Sequence, residues 1–183
     1  MLLNSLKRLA SWADSESEAQ GYFRLFHRSL GFIYLCALVP LFWELPGIIG
    51  QNGLLPAISL LDTAYSDQGI IQSLIQFPSL YHIYPSNLTL TALVALGCIG
   101  ALLLILNLRP FLGALLSWVS FLSITSVGGD FFVIIIDLFL SEVGFLALFS
   151  TYYIQKNAIP NLVRFSFVLL NFRLWFCMGI NKF

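Results

Sequence analysis

Apolar residues in this chain are grouped into five long runs, separated by short polar segments and one longer connector. An α-helix needs about 20 predominantly apolar residues to cross the hydrocarbon core of a bilayer. The runs occupy residues 22–45, 88–106, 111–127, 130–154 and 163–183. The pattern predicts an all-α, polytopic transmembrane helical bundle of about five spans, with a long connector after the first span.

Composition indicates the same class of protein. Hydrophobic residues make up 58% of the chain and charged residues only 10%, whereas charged residues make up about 25% of an average soluble domain. The net charge is zero, so the chain lacks the basic footprint of a nucleic-acid-binding protein. Cys36, Cys98 and Cys177 lie far apart, without metal-type spacing. We therefore predict an integral membrane protein with no nucleic-acid partner, no metal site and no cofactor.

The first 21 residues differ from the runs that follow. Leu2, Leu6 and Leu9 fall near one face of a helix, and Lys7 and Arg8 lie on the other side. This pattern is typical of a short amphipathic helix on the membrane surface, in contact with lipid; a disordered start is the alternative. We assign residues 1–21 to an N-terminal interfacial segment and residues 22–183 to one transmembrane domain.

The basic residues predict the orientation of the bundle. In a five-span bundle, every connector that carries them falls on one side: Lys7, Arg8, Arg24, Arg28, Arg109, Lys156 and Arg164. The long connector at 47–87 contains no Lys or Arg. By the positive-inside rule, the N-terminus is cytoplasmic and the long connector is extracytoplasmic. Within this connector we expect short helices around 56–61 and 69–75, and we expect Glu44 and Pro46 to end the first span before it.

Two carboxylates interrupt the fourth run. Asp137 and Glu142 are five residues apart, which places them roughly 140° apart around a helix. Ionisable residues inside a span usually face the bundle interior and find partners there, and Arg173, in the fifth run, is the natural counter-charge. We expect these three residues to form an intramembrane polar network. It is either a buried ion pair that holds two helices in register or part of a proton relay or substrate pocket.

Three further residues invite a chemical role. Lys182, at the end of the fifth run, is either an interfacial anchor that snorkels to the surface or a catalytic base whose pKa partial burial lowers. His27 and His82 are predicted to lie on opposite sides of the membrane, so they do not form one site. We interpret His82 as a hydrogen-bonded residue of the connector.

Three stretches resemble one family in the right order along the chain. Residues 45–57, LPGIIGQNGLLPA, resemble the "GLIGxxGILPA" loop of the lipase maturation factor family. Residues 137–147, DLFLSEVGFLA, and 172–183, FRLWFCMGINKF, resemble its "WDxLLLExGFLA" and "FRLMFGSGxxKL" helices. The candidate site residues of this loop motif are Gly47, Gly50, Gly53 and Pro56.

The resemblance implies a non-catalytic role in the maturation or assembly of exported proteins such as lipases. The expected location is the endoplasmic reticulum membrane in a eukaryote, or the inner (cytoplasmic) membrane in a bacterium. The long connector motivates a client protein, such as a lipase, as the partner.

Family members carry further membrane helices and a soluble C-terminal domain, so the chain looks like an N-terminal half. A truncated product, a fragment, a minimal homologue and a split protein completed by a separate chain all stay open. The domain also resembles the HTTM region of vitamin K-dependent γ-carboxylase, where a lysine in the position of Lys182 acts as the base on the quinol cofactor. That second resemblance implies the alternative, a membrane enzyme with a quinone or lipid substrate.

Overall fold

The computed structural model describes residues 2–132, 135–155 and 160–180, and the side chains of 21–67, 69–129, 131–132, 137–154 and 160–180. Within these ranges the chain forms α-helices joined by turns and short 3₁₀ segments. In chain order the helices are α1 (Leu2–Ile48), α2 (Ala57–Gln68), α3 (Ile70–Gln76), α4 (Asn87–Leu106), α5 (Pro110–Val127), α6 (Ile135–Gln155) and α7 (Asn161–Ile180). The all-α prediction is confirmed.

Five helical segments are long and apolar enough to cross a membrane, as the runs predict. They are Gly21–Ile48, Asn87–Leu106, Pro110–Val127, Asp137–Ile154 and Asn161–Ile180. The fourth begins later than the pattern predicts, because a 3₁₀ segment occupies Gly129–Phe132. Gly129 has a φ of 54°, a left-handed conformation that does not continue an α-helix.

The helix that contains the first span extends beyond the predicted span in both directions. α1 is one helix of 47 residues that begins at Leu2, so the alternative of a disordered start is wrong. It also continues through Pro40 and past Pro46, although Pro46 was expected to end it. Proline removes one backbone donor, but membrane helices tolerate this because neighbouring groups satisfy the freed carbonyl.

The turn between α4 and α5 is determined by local sequence. Asn107 adopts the left-handed conformation, with a φ of 54°, and its N–H donates to the carbonyls of Leu103 and Leu104. Asn is one of the few residues that adopts this conformation readily at a helix end. Pro110 then occupies the first turn of α5, where its missing N–H needs no partner.

The backbones of α4 and α5 touch. A Cβ on Gly100 would lie 2.7 Å from the amide nitrogen of Ser117 and 2.8 Å from the carbonyl oxygen of Gly113. The Ser117 hydroxyl donates to the carbonyl of Gly97 across the same contact, at 3.2 Å. Small residues bring membrane helices this close, so that van der Waals packing and hydrogen bonds hold them together.

α1 packs on the other side of α4. Its buried side chains recur every three or four residues, as expected for one face of a helix: Leu30, Tyr34, Leu38, Leu41 and Leu45. Gly31 lies on the same side, where a Cβ would be 2.8 Å from the carbonyl oxygen of Ala101. α4 is therefore enclosed between α1 and α5.

The long connector folds into an ordered cap (residues 49–86), which contains the expected short helices as α2 and α3. α2 extends to Gln68, beyond the predicted end near residue 61. Hydrogen bonds to Ser123 tie the cap to the end of α5. The Ser79 hydroxyl donates to the carbonyl of Ser123 at 2.7 Å, and the Leu80 amide donates to the Ser123 hydroxyl at 3.1 Å.

α7 is the most open of the spans. In its most apolar stretch of 18 residues, only 6% of the residues are buried, whereas 44% are buried in the corresponding stretch of α5. Near its start, the ring of Phe167 contacts the rings of Phe23 and Phe26 on α1, with centroids 5.9 and 5.1 Å apart. α7 therefore borders the bundle instead of completing its core.

Candidate functional site

The loop motif closes the end of α1. The last carbonyls of a helix have no partner inside the helix and must find one elsewhere. Here the chain turns back, so that the Leu54 amide donates to the carbonyl of Gly47 at 3.1 Å and the Leu55 amide to that of Ile48 at 2.9 Å. The motif thus satisfies the helix end with its own backbone.

At two of the three glycines in the motif, a larger residue would clash with the backbone. A Cβ on Gly50 would collide with the carbonyl oxygen of Pro46, and one on Gly53 would lie 2.7 Å from the carbonyl oxygen of Ile48. Gly47 has open space around it. Pro56 immediately precedes α2, with a φ of −58°. The motif is thus a tight backbone turn that leads into the cap.

The same turn is fastened to the start of α4. The Gln51 amide donates to the side-chain oxygen of Asn87 at 2.8 Å, and the Gln51 side-chain amide donates to the carbonyl of Pro85 at 3.2 Å. The two ends of the cap therefore meet at one place.

Histidine at position 82 holds the middle of the cap, as the sequence predicts. Its Nε2 donates to the carbonyl of Phe77 at 2.7 Å, so Nε2 carries a proton. Its Nδ1 is hydrogen-bonded to the hydroxyl of Tyr65, on α2. The imidazole therefore joins α2 to the segment that follows α3.

A groove of about 490 Å³ lies between α2, the end of α3 and the turn that follows α5. Its apolar wall includes Leu60, Phe77 and Val127. Four residues supply polar groups: Ser59, Thr63, Asp67 and Gln76. A concave surface with apolar walls and a few polar groups is typical of a binding site. It is the candidate recognition surface of the cap.

Of the predicted intramembrane network, the structure pairs Glu142 and Arg173. Arg173 Nη1 lies 2.5 Å from Glu142 Oε1. The side chains of Arg173 and Glu142 are 62% and 36% exposed, so the pair is at the border of the bundle and not buried as expected. Among the described residues, no ion pair links Asp137 to Arg173. Because the two carboxylates project in directions roughly 140° apart, one arginine does not serve both.

The ion pair borders a second groove, of about 570 Å³, between α5, α6 and α7. Its walls are mostly apolar, with Trp118, Phe145 and Leu169 among them. Lys182, the proposed base, lies outside the described residues. The catalytic alternative therefore stays a prediction, and its test is whether Lys182→Ala abolishes turnover of a quinone or lipid substrate.

α1 and α6 share a polar contact that the sequence analysis missed. The ring of His27 is 2% exposed, and its Nε2 lies 2.7 Å from the hydroxyl oxygen of Ser150. That hydroxyl donates its proton to the carbonyl of Ala147 at 3.0 Å. His27 and Ser150 therefore form a buried hydrogen bond that links α1 to α6.

A second missed contact surrounds Gly144. The Tyr34 hydroxyl donates to the carbonyl of Leu140 at 3.2 Å, and the Trp118 indole N–H donates to that of Ser141 at 2.9 Å. A Cβ on Gly144 would collide with the Tyr34 hydroxyl and would lie 2.9 Å from the Trp118 ring. The glycine therefore opens the surface of α6 to donors from α1 and α5. The available signal was the seven-residue spacing of His27 and Tyr34, which places both on one face of α1.

Comparison with known proteins agrees with the three stretches. Residues 23–183 match the family model described as the lipase maturation factor transmembrane domain. This chain belongs to the lipase maturation factor family. It is similar to lipase maturation factor 2 of Xenopus laevis, with 36% identity over 126 residues, which cover 65% of this chain and 18% of the relative. The match to lipase maturation factor 2 of Gallus gallus is 31% identical over 176 residues and covers 86% of this chain and 24% of the relative.

Lipase maturation factor 2 of Homo sapiens is 33% identical over 133 residues, which cover 68% of this chain and 18% of the relative. The chain thus spans about a fifth of the length of these curated relatives. No solved structure matches it. Together with the five candidate spans, the match shows a multi-pass integral membrane protein of the lipase maturation factor family.

Proposed function

We propose that this chain assists the maturation or assembly of exported proteins, with lipases as the first class of client to test, and that it does so without catalysing a reaction. The relatives are named lipase maturation factors, which supports this class of client. The membrane in question is that of the endoplasmic reticulum in a eukaryote or the cytoplasmic membrane in a bacterium.

The ordered cap carries this proposal. It is fastened at both ends through Gln51 and Asn87, in the middle through His82, and to α5 through Ser123. A connector held at this many points presents a preformed surface, and preformed surfaces lose less conformational entropy on binding. In the predicted orientation the cap lies on the extracytoplasmic side, where an exported client folds.

The groove on the cap offers a direct test, because α2 carries a matched pair of aspartates. Asp67 lines the groove, whereas Asp62 is exposed on the same helix and is not among the lining residues. The chain is co-expressed with an exported lipase, and the amount of lipase that co-purifies from detergent-solubilised membranes is measured, together with the lipase activity per mass of exported protein.

We expect Asp67→Arg to reduce both quantities several-fold and Asp62→Arg to leave both near the level of the unsubstituted chain. Equal retention of client by the two variants, both with unchanged melting temperatures, would show that the groove is not the recognition surface. If the unsubstituted chain also retains no lipase, the proposed class of client is wrong.

A further inference from the structure

α3 shows the reverse of the pattern expected for a helix that faces water. Its small polar residue, Ser73, is fully buried, and the Ser73 hydroxyl donates to the carbonyl of Gly69 at 2.9 Å. The large aliphatic side chains face outward instead. Their exposed fractions are 68% for Ile70, 78% for Ile71, 45% for Leu74 and 76% for Ile75. A continuous exposed aliphatic surface of this kind marks a contact with lipid or with another protein.

The outward residues of α3 divide into two adjacent stripes. At 100° per residue, the four aliphatic side chains fall within an arc of roughly 140°, and Gln72 and Gln76 fall on a neighbouring arc. Gln76 lines the polar groove of the cap. The helix therefore has one apolar stripe and one uncharged polar stripe, which is the arrangement of a helix at the boundary between hydrocarbon and water.

Both ends of α3 lie at the level where α5 ends. Just after α3, Ser79 and Leu80 bond to Ser123, which is one turn, or about 6 Å, before the end of α5. Just before α3, Asp67 lines the same groove as Val127. The chain on both sides of α3 is therefore held close to the end of α5, which keeps this short helix beside the ends of the spans.

The surrounding sequence matches the chemistry of this boundary. Residues 68–84 contain no Asp, Glu, Lys or Arg. Ile83 and Tyr84, at the other end of this stretch, are 80% and 65% exposed, and tyrosine is enriched where membrane proteins meet the interface. A bilayer covers such a surface at all times, whereas a protein client would leave it in water between encounters.

We propose that α3 is an interfacial helix whose aliphatic stripe (Ile70, Ile71, Leu74 and Ile75) inserts among lipid acyl chains and seats the cap on the bilayer. The client groove then opens on the polar side of α3, and the cap has one face for lipid and another for protein. This inference does not depend on the identity of the client.

Site-directed spin labelling of the purified chain in phosphatidylcholine vesicles tests the proposal. The three native cysteines are replaced by alanine, and single cysteines are introduced as Ile71→Cys, Ile75→Cys and, as the aqueous control, Asp62→Cys. Because all three positions are exposed, the labels do not disturb the core; the melting temperature of each variant checks this. Collision rates with oxygen, which concentrates in lipid, and with a water-soluble nickel chelate are then compared.

We expect labels at 71 and 75 to collide with oxygen several-fold more often, relative to nickel, than the label at 62. Nickel accessibility at 71 and 75 equal to that at 62 would overturn the proposal. If the labels at 71 and 75 are accessible to nickel in vesicles but protected from nickel in native membranes, the proposal is also overturned. That result would assign the stripe to a protein partner.

Discussion

The contact between α4 and α5 and the attachment of α7 are two different ways of joining membrane helices. At Gly100 and Gly113 the two backbones touch, since a Cβ on either would lie within 3 Å of backbone atoms of the other helix. α7 is joined instead through side chains. Its Phe167 ring contacts rings of α1, its Arg173 guanidinium pairs with Glu142, and its Leu170 side chain packs against the core.

This difference follows from the solvent. Lipid tails are as apolar as leucine, so burying apolar area between two spans gains little, and close packing and hydrogen bonds must stabilise the contact. Contacts between backbones cannot adjust to added volume, whereas side-chain tips can move. We therefore expect α4, α5 and α6 to tolerate substitution poorly where they are closely packed, and α7 to tolerate it well.

The largest effect is expected for Gly100→Ala, compared with Gly179→Ala on α7. The first places a methyl group 2.7 Å from the Ser117 amide nitrogen, and the second meets nothing within 4 Å. Overpacking of this kind costs about 1–3 kcal/mol, while an alanine in open space on a helix is neutral or stabilising. Thermal unfolding in detergent measures both. Similar melting temperatures for the two variants would contradict the distinction between the regions.

Gly144→Ala tests whether α6 belongs to the closely packed part. The new methyl group displaces the Tyr34 hydroxyl, and we expect a destabilisation of about 1–2 kcal/mol. Tyr34→Phe removes that hydroxyl, so the double variant should be more stable than the sum of the single effects predicts. Strict additivity in this cycle would show that the two side chains do not compete for the same space.

Ser150→Ala compares a hydroxyl between spans with one on α7. Removing it leaves the buried His27 Nε2 without its hydrogen-bond partner at 2.7 Å, at a cost of about 1 kcal/mol. Ser166→Ala is the control, because among the described residues the half-buried Ser166 hydroxyl bonds only to the carbonyl of Leu162 in its own helix. In detergent, we expect Ser150→Ala to have a lower melting temperature than Ser166→Ala. Equal melting temperatures would show that the side chains around His27 adjust to the loss of this hydrogen bond.

The ion pair allows a prediction with a sign. Glu142→Gln leaves a guanidinium that cannot lose its charge, whereas Arg173→Gln leaves a carboxylate that can be neutralised by a proton. We expect the first variant to be less stable than the second, by about 1 kcal/mol or less because the pair is partly exposed, and the double variant to recover. Melting temperatures in lipid nanodiscs measure this order, and the reverse order would argue against a charge cost at this site.

The smallest effect is expected in the cap. The Tyr81 hydroxyl is buried without a hydrogen-bond partner among the described residues, so Tyr81→Phe should leave the melting temperature unchanged or raise it slightly. Burial also raises the pKa of the Tyr81 phenol. The unfolded chain therefore loses the Tyr81 proton more readily than the folded chain does. The free energy of unfolding is unaffected by this group below the unfolded pKa of about 10 and falls as the pH rises above that value.

A pH series of unfolding curves tests this second point. Tyr81→Phe should lose less stability above pH 10 than the unsubstituted chain, and Tyr84→Phe, at a 65% exposed position, should behave like the unsubstituted chain. A marked loss of stability in Tyr81→Phe at neutral pH would mean that the hydroxyl has a partner in the membrane environment.

Several features could be predicted because they depend on neighbours in sequence. The length of each apolar run predicts a span, and the turn between α4 and α5 depends on two local residues, Asn107 and Pro110. The loop motif at 45–57 and the two helical stretches carry the family resemblance. The predicted orientation, the client and the role of Lys182 stay predictions. The predicted end of α1 at Pro46 was wrong, because a proline in the sequence does not show how neighbouring groups satisfy the carbonyl that it leaves free.

The sequence by itself determined that this chain crosses a membrane as helices and belongs to its family, since apolar length and short motifs are local properties. Only the tertiary structure decided which helix faces meet: that Gly100 touches Gly113 and Ser117, that Tyr34 reaches the carbonyl beside Gly144, and that Arg173 takes Glu142 as its partner. The physical reason is that lipid-facing and core-facing sides of a span are both apolar. Hydrophobic periodicity, which marks the buried face of a helix in water, therefore carries little information about which sides of these spans pack together.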